Sequence, residues 1–315
     1  MNTYEIAIVT PCFNDQESCN QLIKDLSKLT RPNIQISIFV VDDGSNVPIS
    51  NLPESDLATH LISLKTNLGH QKAIACGLCE VFNSDENFTH VVVMDSDGED
   101  KSEDVLRLVD STSDVIPFVF AQRRKRQEAG WFKLGYVLYK ILVIVLVGAR
   151  IRHGNFSAFK SDVIERLIYN RNILGNYAAA ILTSKLPIGF LPTDRGERYA
   201  GRSKMNPISL IQHGLSAISV FQEVVLLRIG IFVSVFLIAV MVLAGFVLYE
   251  KTITGQAILG WSSTILTILI VGAINAGLIV LSLLIGTVGK TQSNNLTPTE
   301  YCERYVKKRT SISRK

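Results

Sequence analysis

Three short polar runs in the first hundred residues carry most of this chain's capacity for chemistry. They are Thr10-Pro11-Cys12-Phe13-Asn14-Asp15, Asp42-Asp43-Gly44-Ser45 and Asp95-Ser96-Asp97-Gly98-Glu99-Asp100. The last places four acids within six residues, and so many unpaired carboxylates repel one another. A divalent cation is the usual remedy, because a hard cation is satisfied by oxygen ligands. A turn after Asp95 is expected to bring Asp95 and Asp97 to one ion. Alone, the run reads equally well as a solvated turn.

These runs must be positioned by the elements that precede them, and each follows an apolar stretch. The apolar pattern predicts strands at 5–9, 36–41, 60–64, 91–94 and 115–121, with helices at 17–29, 69–82 and 102–109. Alternation of this kind implies an α/β fold with a mostly parallel sheet covered by helices on both faces. Ligands bind such sheets beyond the carboxyl ends of the strands, where all three runs fall.

The order of the motifs is more specific than any one of them. Thr10 to Asp15, then Val41-Asp42-Asp43-Gly44-Ser45, then Asn67-Leu68-Gly69-His70-Gln71-Lys72-Ala73, then Asp95-Ser96-Asp97, resembles the inverting nucleotide-sugar glycosyltransferases of family two, which have the GT-A (Rossmann-like) fold. Farther on, Arg198-Tyr199-Ala200-Gly201-Arg202-Ser203-Lys204 resembles the R-x-x-G-x-S-K element of polyisoprenyl-phosphate glycosyltransferases, a group that includes bactoprenol glucosyltransferases and dolichyl-phosphate mannose synthases. The resemblance implies a nucleotide-sugar pocket that includes Pro11 and Asp15, with Asp42 and Asp43 reaching base and ribose. It implies that Asp95, Asp97 and Glu99 face the diphosphate, with Mg²⁺ or Mn²⁺ held chiefly by Asp97 and Glu99. Asp15 stands where the family often has Glu, Glu99 where it often has Gln, and Gly98 where Leu is common. The acceptor phosphate would meet Arg123, Ser157, Arg198, Ser203 and Lys204, and catalysis would rest on Asp97, Asp95 and Arg123.

The resemblance points to transfer of a hexose, with glucose from UDP-glucose the best match, to a polyprenyl (undecaprenyl) phosphate. A metal that neutralises the departing diphosphate lowers the barrier to such a transfer. A phosphate monoester has a second pKa of about 6, so the acceptor is already anionic near neutrality and needs no side-chain base. A processive polysaccharide synthase is the alternative among enzymes, but it usually needs more spans and a Q-x-x-R-W element. A catalytically silent membrane protein that binds nucleotide or lipid is the alternative outside them.

The remaining features concern lipid. Residues 229–249 are uncharged and would span about 31 Å as a helix at ~1.5 Å per residue, close to the thickness of a bilayer core. Residues 257–289 are uncharged as well. Lys and Arg flank this pair of segments while the loop between them carries Lys251 alone, which predicts a multi-pass protein of the inner (plasma) membrane with both termini and the catalytic domain cytoplasmic. Segments 131–149 and 207–228 have the apolar spacing of helices lying on a membrane surface. The expected organisation is therefore a catalytic domain over 1–206, a juxtamembrane helix over 207–228, a two-helix membrane domain over 229–289 and a basic tail over 290–315. The net charge of +4 gives no ground for nucleic-acid binding. Five cysteines without the density of a disulfide scaffold fit a reducing compartment, with Cys76 and Cys79 read as packing residues. No signal peptide is expected from the N-terminal residues. A homo-oligomer is compatible with the sequence.

Overall fold

The computed structural model describes residues 3–29, 31–123, 144–148, 154–200, 219–255, 260–293 and 296–312. The chain divides into two compact units, one of residues 1–136, 150–220 and 296–315, the other of 137–149 and 221–295.

The first unit is an α/β sandwich. Its strands are β1 (Tyr4–Cys12), β2 (Ile34–Asp42), β3 (Ala58–Leu64), β4 (His90–Val93), β5 (Phe118–Arg123), β6 (Ser157–Lys160), β7 (Ile188–Thr193) and β8 (Val306–Ile312). They form one sheet in the order β7-β5-β6-β4-β1-β2-β3-β8. β1 runs parallel to β2 and β4, β2 parallel to β3, and β5 parallel to β7. Only β6 and β8 run against their neighbours within this sheet. All five expected strands and all three expected helices form, the helices as α1 (Gln16–Ser27), α2 (His70–Phe82) and α3 (Glu103–Asp110).

Strand alternation builds a core on each face of the sheet. Ala7, Val9, Phe39 and Val41 point to one side, where they meet Ile74 and Leu78 of α2, residues of α4 (Ile164–Ile168) and Tyr177 of α5 (Tyr177–Thr183). Ile6, Ile8, Ile36, Ile38 and Val40 point to the other, where Leu22, Ile23 and Leu26 of α1 and Val105, Leu108 and Val109 of α3 cover them. The central strands are buried on both faces, which is why their sequences are nearly continuous apolar runs.

The segment read as a basic tail is structured. Helix α8 (Pro298–Tyr305) opens with a capping box between Thr297 and Glu300, and Cys302 is buried in the core beside Cys76 and Cys79. β8 then pairs antiparallel with β3, from Thr59 opposite Ile312 to Leu64 opposite Val306. Arg309 forms a two-pronged ion pair with Glu80 of α2, at 2.6 and 2.8 Å. Charge in this strand is the protection expected of a sheet edge, and it hid the strand from a pattern-based reading. All five cysteines are free and buried.

The second unit contains α6 (Gln222–Tyr249) and α7 (Trp261–Ser293), joined through a π turn at Glu250–Thr254 that Gly255 ends in the left-handed region. Both are long and apolar enough to cross a membrane, and only 11% and 6% of their most apolar windows is buried, unlike the core helices of a soluble domain. Gly272 lies against Phe236, and Ala276, one turn on, is buried, so small residues set the seam of the hairpin. The expected juxtamembrane helix and first span are not separated at 228: helix runs unbroken from Gln222, since no proline or cap intervenes. Residues 207–218 and most of 131–149 lie outside the described residues; 144–147 are helical, and Arg228 donates to the Ile144 and Val145 carbonyls at 3.2 and 2.7 Å.

Candidate active site

The loops after β1, β2, β3 and β4 meet at the carboxyl edge of the sheet and are tied together by side chains. Asn14 donates its backbone N–H to Ser45 Oγ at 2.8 Å and accepts from Asn46 N at 2.8 Å. Asp42 takes Ser45 N and Ile49 N on its two oxygens, at 3.0 and 3.2 Å, and so folds the loop that follows it. Asp43 does the same for the loop after β3, accepting from Leu68 N at 2.7 Å and Gly69 N at 3.0 Å. Both are buried, at 2% and 3% exposure, beneath the loops they hold. Each of their four oxygens accepts one backbone N–H, so both carboxylates shape the loops at the site where contact with base and ribose was expected of them. Burial also pushes the Asp43 carboxyl above its usual range. Asp15 caps α1, its side chain accepting from Ser18 N at 3.4 Å, and Pro11 is buried near the end of β1 opposite Val41.

β4 stops at Val93, and Asp95 to Asp100 form the turn that the acidic run requires. Asp95 N donates to Asp100 Oδ2 at 3.0 Å, and Glu99 N to Asp97 Oδ1 at 2.9 Å. A second segment lies against this turn: Gly196 N donates to Glu99 O and Tyr199 N to Asp97 O, each at 2.9 Å. The approach is so close that a Cβ on Gly196 would stand 2.2 Å from the Gly98 carbonyl oxygen. Gly98 itself sits at φ +87°, and a Cβ there would meet Glu197 O and the Tyr199 ring at 2.8 Å. That explains glycine at a position where the family commonly has leucine.

Arginines neutralise much of the acidic turn. Arg123, at the end of β5, reaches Glu99 Oε2 at 3.2 Å and Asp100 Oδ1 at 3.1 Å. Arg198 Nη2 contacts Asp97 Oδ2 at 2.6 Å and Glu99 Oε1 at 3.3 Å, and Arg195 pairs with the same Glu99 oxygen. Burial would raise the Glu99 carboxyl, but the guanidiniums of Arg195, Arg123 and Arg198 outweigh it and hold it below the usual carboxylate range. Asp100 has the opposite balance: burial and the neighbouring Asp95 charge push it up to about 7. Asp97 is also raised, by burial first and then by its acidic neighbours.

Asp95 faces His70, the first residue of α2. His70 Nε2 forms an ion pair with Asp95 Oδ1 at 3.2 Å, and that buried oxygen has no other hydrogen-bond partner. Burial pulls the imidazole pKa down, yet the charges of Asp95, Asp43 and Asp100 more than offset it and leave it raised. Asn155 Nδ2 lies 2.9 Å from the same imidazole nitrogen, and Gln71 accepts from Tyr177 N at 2.6 Å, which ties α2 to α5.

A divalent cation suits part of this set. The Asp95 oxygen, which has His70 alone beside it, and the carboxyl of Asp97, raised by burial and by its acidic neighbours, are the groups a cation would stabilise. Glu99, the other expected metal ligand, has both oxygens against guanidiniums here, and Asp97 Oδ2 likewise meets Arg198. Among the described residues, no three acidic, histidine or cysteine side chains already form a metal shell.

The expected acceptor residues are only partly brought together. Arg123 and Arg198 converge on Glu99. Ser157 is fully buried, with its hydroxyl 2.8 Å from Tyr177 OH and donating to Asn155 O at 2.9 Å, away from the arginines. Ser203 and Lys204 lie outside the described residues. Sequence reasoning gave no role to Arg195, His70 or Asp100. Arg195 had one available signal, its position three residues before Arg198.

Comparison with known proteins agrees with this geometry. Among solved structures, glucosyl-3-phosphoglycerate synthase of Mycobacterium tuberculosis, determined with Mn²⁺, UDP-glucose and phosphoglyceric acid, superposes with a TM-score of 0.51 over 70% of this chain and 80% of that one at 15% identity, which shows the GT-A fold. Relatives along most of the length include the uncharacterized glycosyltransferase YkoT of Bacillus subtilis, 26% identical over 90% of this chain and 87% of its own. The prophage bactoprenol glucosyl transferase homolog of Escherichia coli is 25% identical over 96% of this chain and all of its own. An undecaprenyl-phosphate 4-deoxy-4-formamido-L-arabinose transferase of Erwinia tasmaniensis is 24% identical over 66% of this chain and 65% of its own. The model of glycosyl transferase family 2 matches residues 7–168, from β1 through α4 and more than half of the chain, and this protein is a glycosyltransferase belonging to that family.

Proposed function

We propose that this enzyme transfers a hexose from a nucleoside diphosphate sugar to the phosphate of a polyprenyl lipid at the cytoplasmic face of the plasma membrane, with UDP-glucose and undecaprenyl phosphate as the preferred pair. The observation that carries the reading is the meeting of two phosphate-directed sets at one sheet edge, the carboxylates of Asp95 and Asp97 and the guanidiniums of Arg123, Arg195 and Arg198. The two apolar helices and the relatives that act on undecaprenyl phosphate or bactoprenol support a lipid acceptor. The Mn²⁺ and UDP-glucose bound by the mycobacterial enzyme support the donor and metal assignments.

On the donor side, Pro11 and Asp15 border the nucleotide, while Asp42 and Asp43 hold the loops that line it. Asp95 and Asp97 hold Mg²⁺ or Mn²⁺, which supplies neutralisation of the charge that develops on the leaving diphosphate. Arg123 and Arg198, with Ser203 and Lys204, orient the acceptor phosphate so that its anionic oxygen attacks in line and inverts the anomeric carbon. No side chain need remove a proton from a phosphate that is already ionised.

The test supplies purified protein with undecaprenyl phosphate, Mn²⁺ and labelled UDP-glucose, UDP-N-acetylhexosamines or GDP-mannose in parallel. Label should enter the lipid phase from UDP-glucose and fail to do so in chelator. Asp97→Asn should lower turnover by about a hundredfold or more, the scale of losing an electrostatic contact to the transition state, while folding is retained. Undiminished transfer in chelator removes the metal assignment, and absence of a lipid-soluble product from every donor removes the acceptor assignment.

A further inference from the structure

We propose that Glu99 is a positioning residue that gathers Arg123, Arg195 and Arg198 into a single phosphate cradle, and that Arg195 is a direct phosphate contact. The inference rests on the acceptor reading above and names the machinery that would receive the acceptor's phosphate.

Three guanidiniums converge on the two oxygens of one carboxylate: Arg195 and Arg198 on Oε1, Arg123 on Oε2. Arg123 also pairs with Asp100 and Arg198 with Asp97, but Glu99 is the anion that all three share. A carboxylate in such a place could instead be a stand-in anion that leaves when phosphate arrives, or a metal ligand. The exposure of the side chains argues against the first. Glu99 is 13% exposed, whereas Arg198, Arg123 and Arg195 are 23%, 33% and 45% exposed, so the carboxylate lies beneath and the cations above it. Its backbone is pinned as well, with Glu99 N on Asp97 Oδ1 and Glu99 O receiving Gly196 N. A group held at both ends under three larger side chains has no route out of the site.

Ion pairing with Arg123 leaves Glu99 Oε2 a further lone pair, so the Mn²⁺ affinity of Glu99→Gln decides between the cradle and the metal alternative. The guanidiniums themselves retain capacity. Each has five N–H donors, and Arg198 meets both of its carboxylate partners through Nη2. Arg195, the most exposed of the three, has its contact with Glu99 through Nη2 alone. Planar guanidiniums held from below and open above suit the oxygens of a phosphate.

The experiment compares wild type, Glu99→Gln, Arg195→Ala and the double variant in one detergent. It measures the acceptor KM, kcat, affinity for Mn²⁺ with UDP, and binding of inorganic phosphate to donor-free protein. Glu99→Gln and Arg195→Ala should each raise the acceptor KM and weaken phosphate by about tenfold, the loss expected for one charge-assisted contact. Mn²⁺ and UDP affinity should stay within about twofold. The double variant should fall short of the product of the single effects, because Glu99 acts through Arg195. Tighter phosphate binding by Glu99→Gln would make Glu99 a stand-in anion, and a tenfold loss of Mn²⁺ would return it to the metal; either overturns the proposal. So does an unchanged acceptor KM and phosphate affinity in Arg195→Ala, a substitution at an exposed side chain that should fold even if Glu99→Gln does not. If wild type glycosylates no lipid phosphate, the acceptor reading fails by itself, and inorganic phosphate binding still decides the cradle.

Discussion

Substituting Gly196 by alanine tests whether docking of residues 195–199 on the acidic turn is what makes the site. The added Cβ would lie 2.2 Å from the Gly98 carbonyl oxygen and 3.1 Å from Lys101 Cγ. The lysine can swing aside, but a backbone carbonyl cannot, so the two segments must separate by about an ångström. Misplacement on that scale can cost roughly a hundredfold in rate, and here it displaces Arg195 and Arg198 together. The stability cost is smaller. Separation forfeits the hydrogen bonds from Gly196 N and Tyr199 N, about 0.5–1.5 kcal/mol each. For a unit of this size, such a loss lowers Tm by about 2–12 °C. Gly196→Ala should therefore remain folded by circular dichroism, melt within that range, and lose about ten- to a hundredfold in kcat/KM for acceptor. Gly196 has no left-handed φ, so the effect is one of contact and not of backbone strain. Wild-type kcat/KM in a folded Gly196→Ala protein would refute the docking argument, as would a loss fully accounted for by the unfolded fraction.

Two further outcomes follow from the structure. Burial and the Asp95 charge push the Asp100 carboxyl up to about 7 in the folded protein, against an ordinary carboxylate value of about 4 when unfolded, so between roughly pH 4 and 7 the folded state should hold a proton that the unfolded state has lost. Stability of the metal-free protein should fall as pH rises through that window, and Asp100→Asn should flatten the slope of Tm against pH; an unchanged slope would assign the titration elsewhere. For membrane topology, Lys251→Cys should react with an impermeant thiol reagent on intact cells and Lys308→Cys only after permeabilisation, against a low background because the five native cysteines are buried. The reverse pattern would put the nucleotide site on the wrong side of the membrane.

What the sequence revealed of the fold was decided by burial. β1, β2 and β4 are covered on both faces, and apolar runs with turn residues at their ends make such strands visible without any partner. β6 has four residues, β7 carries Gly189 and Pro192, and β8 reads Val-Lys-Lys-Arg-Thr-Ser-Ile; none has a pattern that distinguishes it from loop or tail. β8 is a strand because β3 offers it an edge, and that pairing joins residues about 250 apart in the chain, beyond the reach of local propensity. The site divided in the same way. Motif order located the carboxylates, since each sits within a few residues of a strand end. The fate of Glu99 was not legible, because Arg195 and Arg198 belong to a segment almost a hundred residues later and outside the family-matched region.

The pairing of β8 with β3 also constrains the membrane arrangement independently of any charge count. Residues 1–136, 150–220 and 296–315 form one compact unit, so the chain leaves that unit after 220 and returns to it by 296. Whatever α6 crosses, α7 must cross back, or β8 could not lie in the sheet with β3. A single crossing, with one apolar helix lying on the surface, would require breaking the β3–β8 ladder, withdrawing Cys302 from the core and separating Arg309 from Glu80. If the two helices cross a membrane, the β3–β8 pairing calls for an even number of crossings, and the Lys and Arg asymmetry then bears only on which face carries the folded unit.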